Sequence, residues 1–379
     1  MMKYNAKQKI GILGGGQLGR MLIQAAISYD VNFYVLDNDE HCPCRDLCHY
    51  FEKGSLMDYE TVYQFGKKAD ILSIEIEHVN ADALAALEAE GKCVIPSAHA
   101  IKTIQDKGLQ KMFYQHHQIP SSDFVLIDSV DELKTHISFL PAFQKLRTLG
   151  YDGKGVQNLS ETTIERAFHA PSLLEKKVAI AKEISVIVVK NKNGEIAEFP
   201  VVECIYNEQY NLVDYLISPA DIHPEQEKKA KEIALRVLES LASAGIFAVE
   251  LFLTTDGDIL VNETAPRTHN SGHQSIEGNL NSQFDLQIKA LLNLPFGSTA
   301  ITSHSLMLNI IGAEGFSGKV VYKNLTEIMQ MENTYLHLYG KKDTKPGRKM
   351  GHITLLGKDR QELISKAEKI KSILSVESE

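Results

Sequence analysis

No run in the chain approaches the roughly 18 apolar residues that a membrane-spanning helix needs. Nor does the N-terminus carry the pattern of a secretion signal: Met-Met-Lys-Tyr-Asn-Ala-Lys-Gln-Lys is polar and feeds straight into a strand. Positive charge is in short supply. With 40 Lys and Arg against 49 Asp and Glu, the net charge of −9 argues against a nucleic-acid partner held on a basic surface. Cysteine is sparse and odd in number, five in 379 residues, so reduced thiols and a cytoplasmic location are expected rather than a disulfide framework. Repeats and low-complexity linkers are also missing. What remains is ordinary for a globular protein, with 44% hydrophobic and 23% charged residues, and the length suits two or three domains with substantial cores.

Three cysteines cluster in His41-Cys42-Pro43-Cys44-Arg45-Asp46-Leu47-Cys48-His49. Zinc takes such ligands, but this is not the repeated Cys-x2-Cys spacing of common structural sites, and a loop following a strand explains the residues as well. Around it, strand-like and helix-like segments alternate: Ile10–Leu13, Leu18–Ser28, Val31–Leu36, Asp70–Glu75 and Cys93–Pro96. That βαβ pattern predicts an α/β fold whose first ~100 residues form a doubly wound parallel sheet. An amphipathic stretch, Ile101–His117, leads into a compact region from Asp123 to Val178 that reads strand, helix, strand, Gly-rich loop, helix, strand. Beyond it come strands at Ile184–Val189 and Glu198–Glu203, a charged helix from Pro224 to Ser243, a hairpin, a strand at Ser305–Ile311 and a basic turn at Lys341–Arg348.

The hairpin is the most informative stretch. Ala248–Leu253 and Ile259–Glu263 flank Asp256-Gly257, a strong turn signal. With those two residues as the turn, Glu250 lies opposite Glu263, their Cβ atoms ~5 Å apart on one face. Like charges so placed repel, which suits a cation between them; paired hard oxygens favour magnesium together with nucleotide phosphates. Two stray glutamates on a solvated hairpin edge are the plainer explanation. Immediately downstream, Asn262-Glu263-Thr264-Ala265-Pro266-Arg267-Thr268-His269-Asn270-Ser271-Gly272-His273 crowds an arginine, two histidines and an asparagine into an irregular segment, the kind of loop on which active sites are built.

Two glycine-rich loops complete the set. Gly14-Gly15-Gly16-Gln17-Leu18-Gly19-Arg20 joins the first strand to the first helix, and Asp37 ends the next strand where a ribose-binding acid would stand. Such a loop suits a dinucleotide, another phosphate or a purely structural turn. Lys145-Leu146-Arg147-Thr148-Leu149-Gly150-Tyr151-Asp152-Gly153-Lys154-Gly155 has no Walker A pattern, but its glycines can bring backbone donors onto phosphates while Lys154 neutralises charge.

Taken together, GGGQLGRML, EIEHV, GYDGKG, EISVIVV, NETAPRTHNSGH and KPGRKMGH resemble, in order, the N5-carboxyaminoimidazole ribonucleotide synthetases of the ATP-grasp superfamily, over residues 9 to 356. The resemblance implies an ATP-grasp architecture: a doubly wound substrate-binding domain (1–100), an α+β lid (101–178), a larger α+β domain with the magnesium site (179–303), and a C-terminal β segment completing it (304–379). It implies that Lys107 and Lys145 contact ATP phosphates, covered by Gly150, Tyr151, Asp152, Gly153, Lys154, Gly155 and Val156. Glu175, Lys176, Lys177 and Val178 would meet adenine, Glu183 the ribose, and Asn262 the nucleotide; Glu250 and Glu263 would bind magnesium. Aminoimidazole ribonucleotide would lie near Gly16, Gln17, Leu18, Glu75, Tyr151, Asp152, Asn270, His273, Lys345 and Arg348, with Lys154 also counted among the catalytic groups.

The chain departs from the family pattern at Glu203-Cys204-Ile205-Tyr206, where Glu-Asn-Ile-His is usual, so a nucleotide contact falls to Tyr206 or is lost. Leu149 replaces a glycine before Gly150, and Ile76-Glu77-His78 replaces Phe-Glu-Asn. The implied reaction is ATP- and bicarbonate-dependent carboxylation of aminoimidazole ribonucleotide in purine biosynthesis, by a cytoplasmic homodimer. Rival readings are a formate-dependent ribonucleotide transformylase on a related scaffold, an NAD-dependent oxidoreductase resting on Gly14, Gly16, Gly19 and Asp37, and a non-catalytic nucleotide-binding protein.

Overall fold

The computed structural model describes residues 6–148, 150, 155–207 and 212–379. The first unit runs β1 (Lys9–Leu13), α1 (Gln17–Ala26), β2 (Asn32–Asp37), β3 (Tyr50–Lys53), α2 (Tyr59–Lys67), β4 (Ile71–Ile74), α3 (Ala81–Ala89) and β5 (Cys93–Val94). Its strands form a parallel sheet in the order β3-β2-β1-β4-β5, as the βαβ pattern predicts. β1 is buried on both faces, with Ile10, Ile12 and Leu13 at most 1% exposed, because helices cover both sides of a parallel sheet.

The amphipathic stretch after β5 is two helices rather than one, α4 (Ala98–Gln105) and α5 (Lys107–His116). Asp106 is extended between them, and its carboxylate accepts from the Gly108 and Leu109 amides at 2.7 and 3.1 Å, capping α5. Then come β6 (Phe124–Ile127), α6 (Val130–Thr135), β7 (Ala142–Leu146), β8 (Val156–Leu159) and β9 (Ser172–Lys176), an antiparallel sheet ordered β6-β9-β7-β8. β8 is a strand that the sequence pattern did not suggest; it pairs with β7 just after the Gly-rich loop.

The large sheet uses β10 (Ile180–Lys190), β11 (Ile196–Glu198), β12 (Val202–Asn207), β13 (Leu212–Ser218), β14 (Gly245–Thr254) and β15 (Ile259–Ala265), with α7 (Pro224–Leu241) across one face and α8 (Ser275–Gly278) and α9 (Gln283–Leu291) following. The predicted strand at Glu198–Glu203 is split by Pro200 into the ends of β11 and β12. The last segment supplies β16 (His304–Ile311), β17 (Gly318–Lys323), α10 (Leu325–Met329), β18 (Thr334–Leu338), β19 (Asp343–Thr344), β20 (Lys349–Gly357), α11 (Arg360–Ile373) and β21 (Ser375–Ser378). β16, β20 and β18 extend the large sheet, ordered β15-β14-β10-β12-β13-β16-β20-β18, while β19-β17-β21 form a small sheet of their own.

One core packs α7 and α5 against β10, β14 and β15, including Tyr114, Val237 and Phe247. A second joins α1 to α9 and includes Phe284 and Tyr339. That junction brings the glycine loop, the large sheet and the basic turn together.

Candidate active site

The hairpin places its acids as expected, by a different route. The turn holds three residues, not two: Thr254 N–H donates to Asp258 O at 2.9 Å and Gly257 sits at φ +86°, so Leu253 pairs with Ile259. That shifts the register by one. A bulge after Glu250 shifts it back, so Glu250 again faces Glu263. The bulge also turns Asn262 toward the acids: its amide lies 3.5 Å from Glu250 Oε2, and its carbonyl accepts from Lys145 Nζ at 3.2 Å.

The charges around the pair are unequal. Lys107, opening α5, forms an ion pair with Glu263 and holds that carboxyl well below the usual range. Burial, then Glu263 and Glu183, push Glu250 up. Each carboxylate resists the other's ionisation, which is what a divalent cation would relieve. The paired hard oxygens of Glu250 and Glu263 fit magnesium. His269 Nε2 lies 3.4 Å from Glu250 Oε1, although the sequence assigned this histidine no particular role.

Behind this pair lies a cluster that sequence reasoning did not find. Glu175 is buried between Lys111 and Lys145, at 2.9 and 2.7 Å, and accepts from the Ser122 hydroxyl. Burial opposes its ionisation, yet the two lysines hold it at about 2. Lys111 stands one helical turn beyond Lys107, so a shared helix face was the available signal. Lys107, Lys145, Glu175, Asn262 and Glu263 line one pocket between the lid and the large sheet. Arg147 anchors it: its guanidinium grips Asp106 at 2.7 to 3.1 Å, and its carbonyl accepts from Lys107 N.

Other expected nucleotide contacts are placed unevenly. Lys176 turns away, donating to Phe139 O at 2.8 Å, and Lys177 lies over the Phe143 ring, so of these hinge residues Glu175 alone sends a charged group into the cluster. Tyr206 hydrogen-bonds Glu183, which burial raises above the normal carboxylate range. Gly155, at φ +76°, and Val156 return the chain beside Lys145. Tyr151, Asp152, Gly153 and Lys154 lie outside the described residues.

The glycine loop is occupied by the protein's own acids. Asp37 Oδ2 accepts from Gly15 N at 2.6 Å, and Glu75 Oε1 accepts from Leu18 N at 3.1 Å at the N-terminus of α1. These bonds take up donors that a dinucleotide pyrophosphate would need. Burial raises Glu75 to about 7, against the pull of Arg267, which also pairs with Glu77 at 2.8 Å. A Cβ on Gly16 would stand 2.4 Å from Glu75 Oε1, so a larger residue there displaces that carboxylate. The cysteine loop packs beneath, with Cys44 N donating to Gly15 O at 3.0 Å and Cys44 Sγ lying 3.4 Å from Gly16 O. All five cysteines are free thiols. Burial raises Cys42 to about 11.

His273 is buried against Phe284 and His352, with ring centroids 5.8 and 4.8 Å away. Burial, then the charges of its neighbours, depress its basicity well below the usual histidine value. Asn270 keeps a buried amide nitrogen with no protein partner among the described residues, a donor free for a ligand. The basic turn docks on the first domain, where Lys342 Nζ approaches His41 Nδ1 at 3.4 Å. Gly347 N donates to Gly312 O and Gly312 N to Arg348 O, which fixes the turn, and Lys345 is exposed on it.

A lid whose cations face paired acids on a large sheet defines the ATP-grasp class. The ATP-grasp domain model matches residues 112–284, flanked by the ribonucleotide synthetase preATP-grasp domain at 7–105 and the phosphoribosylaminoimidazole carboxylase C-terminal domain at 305–366. More particularly, the chain belongs to the N5-carboxyaminoimidazole ribonucleotide synthase family. It is 34% identical over 363 residues to the N5-carboxyaminoimidazole ribonucleotide synthase of Bacillus subtilis, covering 94% of this chain and 93% of that one. It is 37% identical over 360 residues to the chloroplastic phosphoribosylaminoimidazole carboxylase of Vigna aconitifolia; the match covers 92% of this chain but spans 64% of the plant protein. The crystal structure of the Thermotoga maritima synthetase superposes with a TM-score of 0.91 at 39% identity, over 98% of this chain and all (100%) of that one. The Aspergillus clavatus synthase in complex with ADP and 5-aminoimidazole ribonucleotide does so at 0.85 and 32%, over 96% and 99%. This membership removes the oxidoreductase reading. Among the described residues no helix is long and apolar enough to cross a membrane.

Proposed function

We propose that the chain carboxylates the exocyclic amine of 5-aminoimidazole ribonucleotide, using ATP and bicarbonate. The observation that supports this best is the bulged β14–β15 hairpin, which pairs Glu250 with Glu263 and sets Glu263 and Asn262 in one pocket with Lys107 and Lys145. A bicarbonate oxygen attacks the γ-phosphorus, the bond to ADP breaks, and carboxyphosphate forms. Its C–O bond then breaks to give carbon dioxide and phosphate, and the amine nitrogen bonds to the carbon. Magnesium, held by Glu250 and Glu263, would neutralise phosphate charge; Lys145, with Lys107 released from Glu263, would position the same phosphates. Lys154 and the glycines around it would close over them and exclude water.

Gly16, Gln17, Leu18, Glu75 and Asn270 would hold the ribonucleotide, with Lys345 and Arg348 supplying charge for its phosphate or for carboxyphosphate. Asp152 and His273 would stand beside the amine, with Asp152 placed to take its proton. Cytoplasmic location and a homodimer joined through the first and last regions belong to the same proposal; sedimentation would test the dimer. The activity is tested by ADP release from magnesium-ATP. Release that needs bicarbonate and rises with the ribonucleotide supports it, whereas release driven by formate instead would make the chain a transformylase.

A further inference from the structure

Helix α9 begins with Gln283, a fully buried side chain that has no part in the reaction just described. Its carbonyl oxygen accepts from His269 N at 2.9 Å, and its amide nitrogen donates to His269 O at 2.8 Å. These two bonds to one backbone residue settle which end of the amide is which, since an N–H must meet the oxygen and a carbonyl must meet the nitrogen. The same amide nitrogen lies 2.9 Å from His273 Nδ1. A nitrogen that carries only hydrogens outward forces Nδ1 to be the acceptor.

We infer that Gln283 is a positioning residue that locks His273 in the neutral Nε2–H tautomer, so that His273 meets the ribonucleotide as a hydrogen-bond donor and not as a base. The surroundings are built for this contact. Gly272 leaves the space: a Cβ there would stand 2.5 Å from the Gln283 carboxamide. The Ser275 hydroxyl accepts from Gln283 N at 2.9 Å while donating to Gly272 O, fixing the start of α9 to the His273 loop. Phe284 and His352 hold the ring from its sides. The proton shed by the amine then passes to the departing phosphate or to Asp152.

The tautomer stands on geometry alone; its catalytic consequence rests on the proposed carboxylation. Nitrogen NMR of the full chain labelled with ¹⁵N-histidine reads the tautomer directly, the His273 signals being identified by their loss in His273→Gln. The wild type should show a protonated Nε2 and an unprotonated Nδ1; a protonated Nδ1 would overturn the inference, with no variant needed. In Gln283→Glu, the carboxylate can only accept from His273, so Nδ1 should become protonated. Persistence of the Nε2–H form there and in Gln283→Leu would show that the tautomer is set elsewhere. Gln283→Glu should also lower kcat about 10²-fold with the KM for ATP unchanged. An unaltered kcat would remove the catalytic role, while a wild type inactive with ribonucleotide and bicarbonate would remove the proposed function and leave the tautomer result intact.

Discussion

Glu175→Gln tests the buried charge cluster quantitatively. The carboxylate lies between Lys111 and Lys145 with 4% of its side chain exposed, so solvent screening does little to weaken the pairing. It is held at about 2 against an ordinary 4.5. At about 1.4 kcal/mol per pH unit, that difference corresponds to roughly 3 kcal/mol. Removing one partner of a buried pair costs about 3–5 kcal/mol by an independent route, so the two figures agree. Lys111 points the other way on its own: burial outweighs its attraction to Glu175 and lowers its pKa. The lysine side therefore loses part of what the carboxylate gains, and roughly 3 kcal/mol is the upper end. Glu175→Gln should lower the urea midpoint at pH 7 accordingly. Because the folded pKa is depressed, this stability is fully present above about 4.5 and is lost as pH falls toward about 2. The gap between wild type and variant should thus narrow from pH 7 to pH 3. Equal midpoints at pH 7 would refute the reasoning.

Three further outcomes are expected. Glu263→Gln should abolish most magnesium-ATP turnover while leaving the fold intact by circular dichroism; near-normal turnover would contradict the magnesium assignment. His273 and His352 are both buried and held below the normal histidine range, so the unfolded chain takes up protons that the folded one refuses. Stability should therefore fall as pH drops below about 6.5, and His352→Gln should flatten that fall in thermal melts. Gly16→Ala would push Glu75 from the start of α1, and the KM for the ribonucleotide should rise about tenfold, ~1.4 kcal/mol, with the KM for ATP little changed.

Much of this was legible in the chain because it rests on local chemistry. Asp256-Gly257 announced the hairpin and the alternation of its strands placed both acids on one face. Even so, two departures cancelled: a longer turn moved the register and the Asn262 bulge restored it, and neither can be read from alternation alone. Lys111 was hidden because a lysine on an amphipathic helix ordinarily faces water; its ion pair with Glu175, 64 residues on, and its bonds to Ser122 explain its burial. Gln283 opens a helix capped by Ser282, and nothing in that local pattern marks its contact with His273, which depends on how Gly272 lets α9 approach. The glycine loop carried its motif's usual spacing, but Asp37 and Glu75 fill its amides, which a motif cannot reveal.

The central claim is that bicarbonate is activated by attack on ATP before carbon reaches the amine. Bicarbonate labelled with ¹⁸O, supplied with magnesium-ATP and 5-aminoimidazole ribonucleotide, follows the atoms directly. One labelled oxygen should appear in each inorganic phosphate released, alongside ADP and carboxylated ribonucleotide in equal amounts. Phosphate free of label, with product still forming, would contradict the carboxyphosphate route.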